Sequence, residues 1–147
     1  MIRDATPADL GDIASLIRAL AEYERLDHEI VWTESELAAT LFGPAAVPRV
    51  LLAAEESGRV VGMALWFPTY STFLGRSGIW LEDLFVYPEF RGSGHGRALL
   101  ESLQAKTDGR VEWSVLDWNQ SAQHFYAKLG AAPMDEWTTW RWLPDAR

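Results

Sequence analysis

A strand-like run that ends in a glycine-rich loop and continues into a helix is the most constraining feature of this sequence. Apolar residues up to Val86 are followed by Pro88, by glycines at positions 92, 94 and 96, and by a helix-forming run over 98–103. Glycine lets the backbone approach a ligand closely, and the N–H groups of a helix's first turn attract an anion. Arg91 and Arg97 add positive charge. The segment predicts a phosphate-binding loop, with a plain strand-to-helix connection as the alternative.

Two common phosphate-binding motifs do not fit this loop. The dinucleotide fingerprint Gly-x-Gly-x-x-Gly would need a third glycine where Arg97 stands, and the nucleoside-triphosphate loop would need a Gly-Lys pair, which the sequence lacks. The loop therefore either binds another phosphate-bearing ligand or is only a connection from strand to helix. The residues of the predicted cradle follow one another along the chain: Arg91, Gly92, Ser93, Gly94, His95, Gly96 and Arg97.

Composition excludes several classes of protein. The length of 147 residues fits one domain, which we expect to span 1–147, and a hydrophobic share of 48% is too high for a disordered chain. The absence of cysteine excludes a disulfide scaffold, an iron–sulfur cluster, a thiolate zinc site and a cysteine nucleophile. The three histidines, His28, His95 and His124, are not spaced as metal ligands are, so we expect no metal.

Charge narrows the choice of partners. The formal net charge is −8, and a surface of this sign repels phosphate backbones, so we expect no nucleic-acid partner. Between positions 22 and 36 a single arginine, Arg25, faces six acids: Glu22, Glu24, Asp27, Glu29, Glu34 and Glu36. Such a run is either a solvated face or a field that attracts a cationic substrate.

No targeting or membrane-spanning segment is visible in the sequence. The first residues lack the basic-then-apolar pattern of a signal peptide, and no apolar run approaches the ~20 residues that a membrane helix needs. We therefore expect a cytoplasmic protein without a membrane partner.

The order of predicted elements is typical of an α/β (α+β) fold with one mixed sheet. We expect strands at 2–3, 49–55, 59–68, 78–87, 111–116 and 136–143. Helices are expected from Pro7 to about Arg25, from a Thr33 cap to Gly43, over 98–103, and over 119–128. Strands joined by tight turns pair antiparallel, whereas strand–helix–strand over 78–116 predicts a parallel pair. The result is a mostly antiparallel central sheet with helices on both faces.

The motif Arg91-x-x-Gly94-x-Gly96 resembles the pyrophosphate-binding signature of the GNAT superfamily of N-acetyltransferases. Val86 before the loop resembles the family as well, as do Asn119 and the run Phe125-Tyr126-Ala127-Lys128-Leu129-Gly130-Ala131 after it. The resemblance spans nearly the whole chain, and the order of elements agrees with the GNAT fold. It implies acetyl-coenzyme A as the cofactor and acyl transfer to an amine as the reaction.

Further segments look like the spermidine/spermine (diamine) acetyltransferase branch, which includes relatives that acetylate thialysine. They are Leu20-Ala21-Glu22-Tyr23-Glu24, Thr33-Glu34-Ser35-Glu36-Leu37, Leu81-Glu82-Asp83-Leu84-Phe85-Val86, Trp118-Asn119 and Trp140-Arg141. The sequence departs from the mammalian polyamine enzymes at His28 and over 67–75. The resemblance implies a small cationic amine as substrate and a two-fold homodimer, with the tryptophan-rich end of the chain as a possible dimer interface.

The resemblance also assigns cofactor contacts outside the loop. The backbone of Phe85 and Val86 is expected to pair with the pantetheine arm like an added strand. Asn119 is expected to contact the cofactor as well as cap its helix, and capping alone is the alternative. Lys128 is expected to reach a cofactor phosphate, unless it is an ordinary solvated lysine at a helix end.

Acetyl transfer to an amine needs a base, because an ammonium has no lone pair, and an acid for the departing thiolate. Strand alternation predicts that Glu82 and Asp83 point to opposite faces. The resemblance assigns the base to Glu82, acting through a water, and leaves Asp83 to bind substrate or serve structurally; ordinary salt bridges are the alternative for both. It assigns the acid to Tyr126, which could instead simply pack under the sheet.

The end of the first predicted helix is where the family collects its amine. Glu24 would pair with the ammonium, Tyr23 would line the pocket, and Trp140 would either stack on the substrate or lie in the core or a subunit interface. Two other functions fit the same residues. One is a non-catalytic acyl-coenzyme A sensor, and the other is acetylation of a peptide or protein amine.

Overall fold

Five strands form one sheet in the order in which they follow along the chain. The computed structural model describes residues 1–144; residues 145–147 of the expected domain lie outside the described part. The strands are β1 (Ile2–Asp4), β2 (Arg49–Ala54), β3 (Val60–Ser71), β4 (Arg76–Val86) and β5 (Val111–Glu112). β1 to β4 pair antiparallel, and β5 is parallel to β4. The expected mixed, mostly antiparallel sheet is confirmed.

The helices begin where the sequence carries caps. They are α1 (Leu10–Tyr23), α2 (Glu34–Phe42), α3 (His95–Gln104) and α4 (Gln120–Lys128). The Thr33 side chain accepts a hydrogen bond from the Glu36 N–H, and the Glu36 carboxylate accepts one from the Thr33 N–H. A 3-10 turn at Pro7–Asp9 leads into α1, and buried Asp9 accepts two hydrogen bonds of 2.8 Å from the Arg3 guanidinium. This bidentate pair fixes the start of α1 against β1.

The chain forms two compact units, Met1–Ser114 and Val115–Arg147, and the sheet with α1, α2 and α3 belongs to the first. α1 and α2 cover one face of the sheet, where residues from both helices join the core with strand residues that include Leu52, Met63 and Phe85. Leu99 and Leu103 of α3 are buried but do not belong to this cluster. They lie on the opposite face of the sheet, to which every second strand residue points. Helices on both faces are thus confirmed for the first unit.

β4 is paired along its whole length on one side and for only two residues on the other. The ladder with β5 is confined to Ile79–Val111 and Trp80–Glu112, whereas β4 continues to Val86. In residues 1–144, no strand pairs with that edge of β4 beyond Trp80. Backbone groups on such an edge are available to a ligand that adds to the sheet as an extended strand.

Two strand predictions need correction. The strand expected over 111–116 is limited to Val111–Glu112, and the final strand expected over 136–143 is wrong, since the structure has only a turn and irregular backbone there. A strand is stabilised by a neighbour that satisfies its backbone and buries one face. Trp137, Trp140 and Trp142 are instead 74%, 89% and 98% exposed. No helix in the described part of the chain has the length and apolarity needed to cross a membrane.

Candidate active site

An extra residue in β4 shapes the candidate site. The register of β3 and β4 pairs Trp66 with Leu81 and Leu65 with Asp83, so Glu82 has no partner of its own on β3. Such a β-bulge sets two residues of one strand against one of the other and interrupts the alternation of side chains. The bulge therefore decides which way the two neighbouring acids point.

Both acids lie on the face of the sheet that α1 and α2 cover. Asp83 pairs with Leu65, which belongs to the core on that face. Glu82 accepts a hydrogen bond of 3.0 Å from Nε1 of Trp80. Trp80 pairs with Phe67, which is two residues from Leu65 on β3 and therefore lies on the same face of the sheet as Leu65. The prediction that Glu82 and Asp83 point to opposite faces is therefore wrong, because the bulge shifts the alternation by one residue between them.

Three carboxyl groups gather at this point. Glu24, the C-cap of α1, and Glu82 both act electrostatically on Asp83, which is partly buried. Burial first, and then the charges of Glu82 and Glu24, raise the pKa of Asp83 to about 7. Burial also raises the pKa of Glu24. Among residues 1–144, no donor forms a hydrogen bond or ion pair with Asp83, so it is poised to exchange a proton near neutral pH.

The acidic stretch over 22–36 divides into structural acids and one site acid. Glu34 lies 3.4 Å from Arg18 and Glu36 caps α2, while exposed Glu29 lies 3.7 Å from His28. Glu24 is the acid of this stretch whose charge acts on Asp83. Most of the run is therefore a solvated face, and its contribution to the candidate site is concentrated in Glu24.

Arg91 joins the end of α1 to the end of β4. Its Nε donates a hydrogen bond of 2.8 Å to the Val86 carbonyl. Its guanidinium lies over the rings of Tyr23 and Phe85, at 5.3 and 5.2 Å from their centroids. Cation–π contacts of this kind hold the last residues of α1, including Glu24, beside the strand that carries the acid pair.

The glycine loop presents an exposed helix N-terminus. Gly92 and Gly94 have φ values of +86° and +87°, and Gly94 is the N-cap of α3. The first N–H groups of a helix have no acceptor within it, so those of α3 are available to an anion. Arg97 lies on the exposed side of α3, where its Nε contacts Glu101 at 2.7 Å. Backbone donors, more than the two arginines, therefore make this cradle.

The other predicted residues belong to the second unit. Asn119 is buried, and its Oδ1 accepts a hydrogen bond of 3.2 Å from the Ala122 N–H, which confirms the predicted cap of α4. Tyr126 lies on α4 with its ring centroid 5.5 Å from that of Phe125, and Lys128 is exposed in the last turn. Trp140 lies in the exposed segment that follows α4.

Sequence reasoning missed Trp80 as a site residue. Its indole N–H fixes the Glu82 carboxylate from two positions earlier on the same strand. The spacing of the two residues on β4 was the available signal, because residues two apart on a strand share a face.

The model of the acetyltransferase (GNAT) family matches residues 17–131, which is more than half of the chain. The chain belongs to the GNAT family of acetyltransferases.

Two curated relatives extend along nearly the whole of this acetyltransferase. The thialysine N-epsilon-acetyltransferase of Bos taurus is 38% identical, over 95% of this chain and 88% of that protein. The L-ornithine N5-acetyltransferase NATA1 of Arabidopsis thaliana is 34% identical, over 99% of this chain and 85% of that protein. An integron cassette protein of V. cholerae has the same fold, with a TM-score of 0.81 and 23% identity over 99% of this chain and 93% of its own.

Acetyltransferases of this family use acetyl-coenzyme A as the acyl donor. The loop before α3 fits the anionic part of such a molecule. A Cβ placed at Gly92 or Gly94 would meet no heavy atom within 4 Å, so the space beside the loop is open to a ligand. The edge of β4 that β5 leaves unpaired suits an extended chain with amide groups.

We predict opposite effects for two glycine-to-alanine variants. Gly94→Ala forces an L side chain to adopt a φ of +87° and should lower the free energy of unfolding by about 1 kcal/mol. Gly11→Ala, on exposed helical backbone with equal room for a Cβ, should raise it by about 0.5–1 kcal/mol. Urea unfolding of both variants measures the difference; equal stabilisation would mean that the loop does not need its left-handed conformation.

Proposed function

We propose that this acetyltransferase transfers the acetyl group of acetyl-coenzyme A directly to the primary amine of a small cationic acceptor, a diamine, polyamine or thialysine-like compound. The gathering of Glu24, Glu82 and Asp83 on one face carries the proposal, because three carboxyls attract an ammonium. The names of the two relatives, for thialysine and for ornithine, support an amine of this size and charge.

Acetyl-coenzyme A, when bound, supplies a thioester whose acyl carbon an amine can attack. The backbone N–H groups of Gly92 to Gly96 and the positive charge of Arg91 and Arg97 would hold its pyrophosphate. The free edge of β4 at Phe85 and Val86 would pair with its amide-bearing arm. The family resemblance also assigns cofactor contacts to Asn119 and to exposed Lys128, with the lysine ammonium on a phosphate.

The acceptor would be held and deprotonated by the acids of the first unit. Glu24 pairs with the ammonium, Tyr23 lines the pocket, and a carboxylate of the Glu82–Asp83 pair takes the proton. The family resemblance favours Glu82, acting through a water. The hydroxyl of Tyr126 supplies a proton to the departing thiolate, since the ordinary pKa values of a phenol and a thiol differ by only about 1.5. The second proton, which the nitrogen loses as the amide forms, restores the hydroxyl.

A thiol-release screen tests the proposed function. Purified protein and acetyl-coenzyme A are mixed with spermidine, diaminopropane, thialysine, ornithine, lysine or a basic peptide, and free thiol is measured. We expect release with at least one small diamine or amino acid, and slower release with the peptide. Calorimetric binding of the cofactor without release for any amine would favour a sensor, and preference for the peptide would favour a protein acceptor.

We predict that Tyr126→Phe lowers kcat about 100-fold and leaves the Kd for coenzyme A within about two-fold, because it removes a proton donor and keeps the ring. Tyr70→Phe, at an exposed tyrosine of β3, is the matched control and should change neither value. Steady-state kinetics and calorimetry give the two values. Equal losses in kcat and cofactor affinity for Tyr126→Phe would mean that Tyr126 only binds.

The exposed tryptophans of the second unit support a homodimer. Trp140 and Trp142 are 89% and 98% exposed, and clustered exposed aromatic residues mark protein interfaces. This exposure favours an interface role for Trp140 over a role in the substrate pocket. Light scattering should give twice the chain mass of 16.6 kDa, and Trp140→Ser with Trp142→Ser should halve it. A wild-type mass of one chain would refute the dimer.

A further inference from the structure

The two acids of the β4 bulge differ in their surroundings although they share a face. Glu82 is exposed to water, and its carboxylate accepts the hydrogen bond from Trp80. Because Glu82 is exposed and its carboxylate is oriented by Trp80, it can attract a cation that approaches from solvent.

Asp83 has the opposite environment. It is half-buried, lies opposite Leu65 of β3 and lacks a hydrogen-bond donor among residues 1–144. The charged groups that face it are Glu82 from its own strand and Glu24 from the end of α1, while Arg91 is held over the ring of Phe85. Burial and the two acids raise the pKa of Asp83 to about 7, which matches a base that works at neutral pH.

We propose that Asp83, and not Glu82, is the base that finally accepts the proton from the substrate ammonium, while Glu82 and Glu24 hold the cation. The inference deepens and rests on the proposed function. One N–H bond of the ammonium breaks, its electron pair stays on nitrogen, and an O–H bond forms on the Asp83 carboxylate. The proton then passes to solvent when the product leaves, which returns Asp83 to its starting state.

The proton balance on binding gives a readout that needs no cofactor and no turnover. At pH 7 a group with a pKa of about 7 carries about half a proton, which it loses when an ammonium binds beside it. Calorimetric titration with thialysine, ornithine and spermidine, in buffers of different ionisation enthalpy, should therefore show release of about half a proton per amine. Asp83→Asn should abolish this release. Glu82→Gln should reduce it but keep part of it, because burial, the largest cause of the raised pKa of Asp83, remains.

The pH dependence of turnover then identifies the base. A base must be ionised to act, so kcat should rise with pH through about 7. Asp83→Asn should lower kcat about 100- to 1000-fold and remove this rise, whereas Glu82→Gln should raise KM with less than about a ten-fold loss of kcat. Asp27→Asn, which removes an exposed charge from the same acidic stretch, is the matched control and should change neither.

The results of these experiments distinguish the assignment of Asp83 as the base from the proposed acetyl transfer itself. Thiol release and amine binding that persist with kcat nearly unchanged in Asp83→Asn would overturn the assignment and keep the function. A loss of the pH-dependent rise in Glu82→Gln instead would assign the base to Glu82. If no amine of the panel binds or releases thiol, the proposed function itself fails. Asp83→Glu should restore proton release, which shows that an inactive Asp83→Asn is not merely misfolded.

Discussion

A partly buried carboxyl group beside two other carboxyl groups costs free energy, and Asp83 of β4 is in this position beside Glu82 and Glu24. Without a bulge, Glu82 and Asp83 would point to opposite faces of the sheet. The bulge at Glu82 leaves both acids on the face where α1 ends and where Glu24 lies. Arg91 holds this arrangement together, since it binds the Val86 carbonyl and lies over the rings of Tyr23 and Phe85. The proposed chemistry at the amine depends on that geometry.

An acidic chain that uses an anionic cofactor must hold it against its own net charge of −8. We propose that backbone groups do most of this work. Arg97 is paired with Glu101, and Arg91 is partly used at the end of β4. The N–H groups at the start of α3 are available, and the two left-handed glycines leave open space beside them. The proposed anion site and the proposed cation site thus lie at the two ends of the connection from β4 to α3.

Local signals predicted much of this structure. Short runs of sequence predicted the caps at Thr33 and Asn119, the glycine loop and the antiparallel strands. The structure contains all of them. The bulge could not be predicted, because alternation arguments assume one partner per residue. The environment of Asp83 also depends on Glu24, nearly sixty residues away in the sequence.

The tryptophan-rich end of the chain shows a different limit of sequence reasoning. Its loose alternation predicts a strand, but a strand is stable only with a neighbour. The described residues of the second unit provide none, and Trp137, Trp140 and Trp142 are exposed. The alternating pattern of the sequence therefore identified apolar residues that need a packing partner. It could not indicate whether that partner lies within the same chain.

A crystal structure of the complex with coenzyme A and the best amine of the panel tests the central claim most directly. The reacting nitrogen should lie within about 3 Å of a carboxylate oxygen of Asp83, with Glu82 and Glu24 around the remaining positive charge. An amine held by Glu82 alone, or bound away from the bulge in β4, would contradict it.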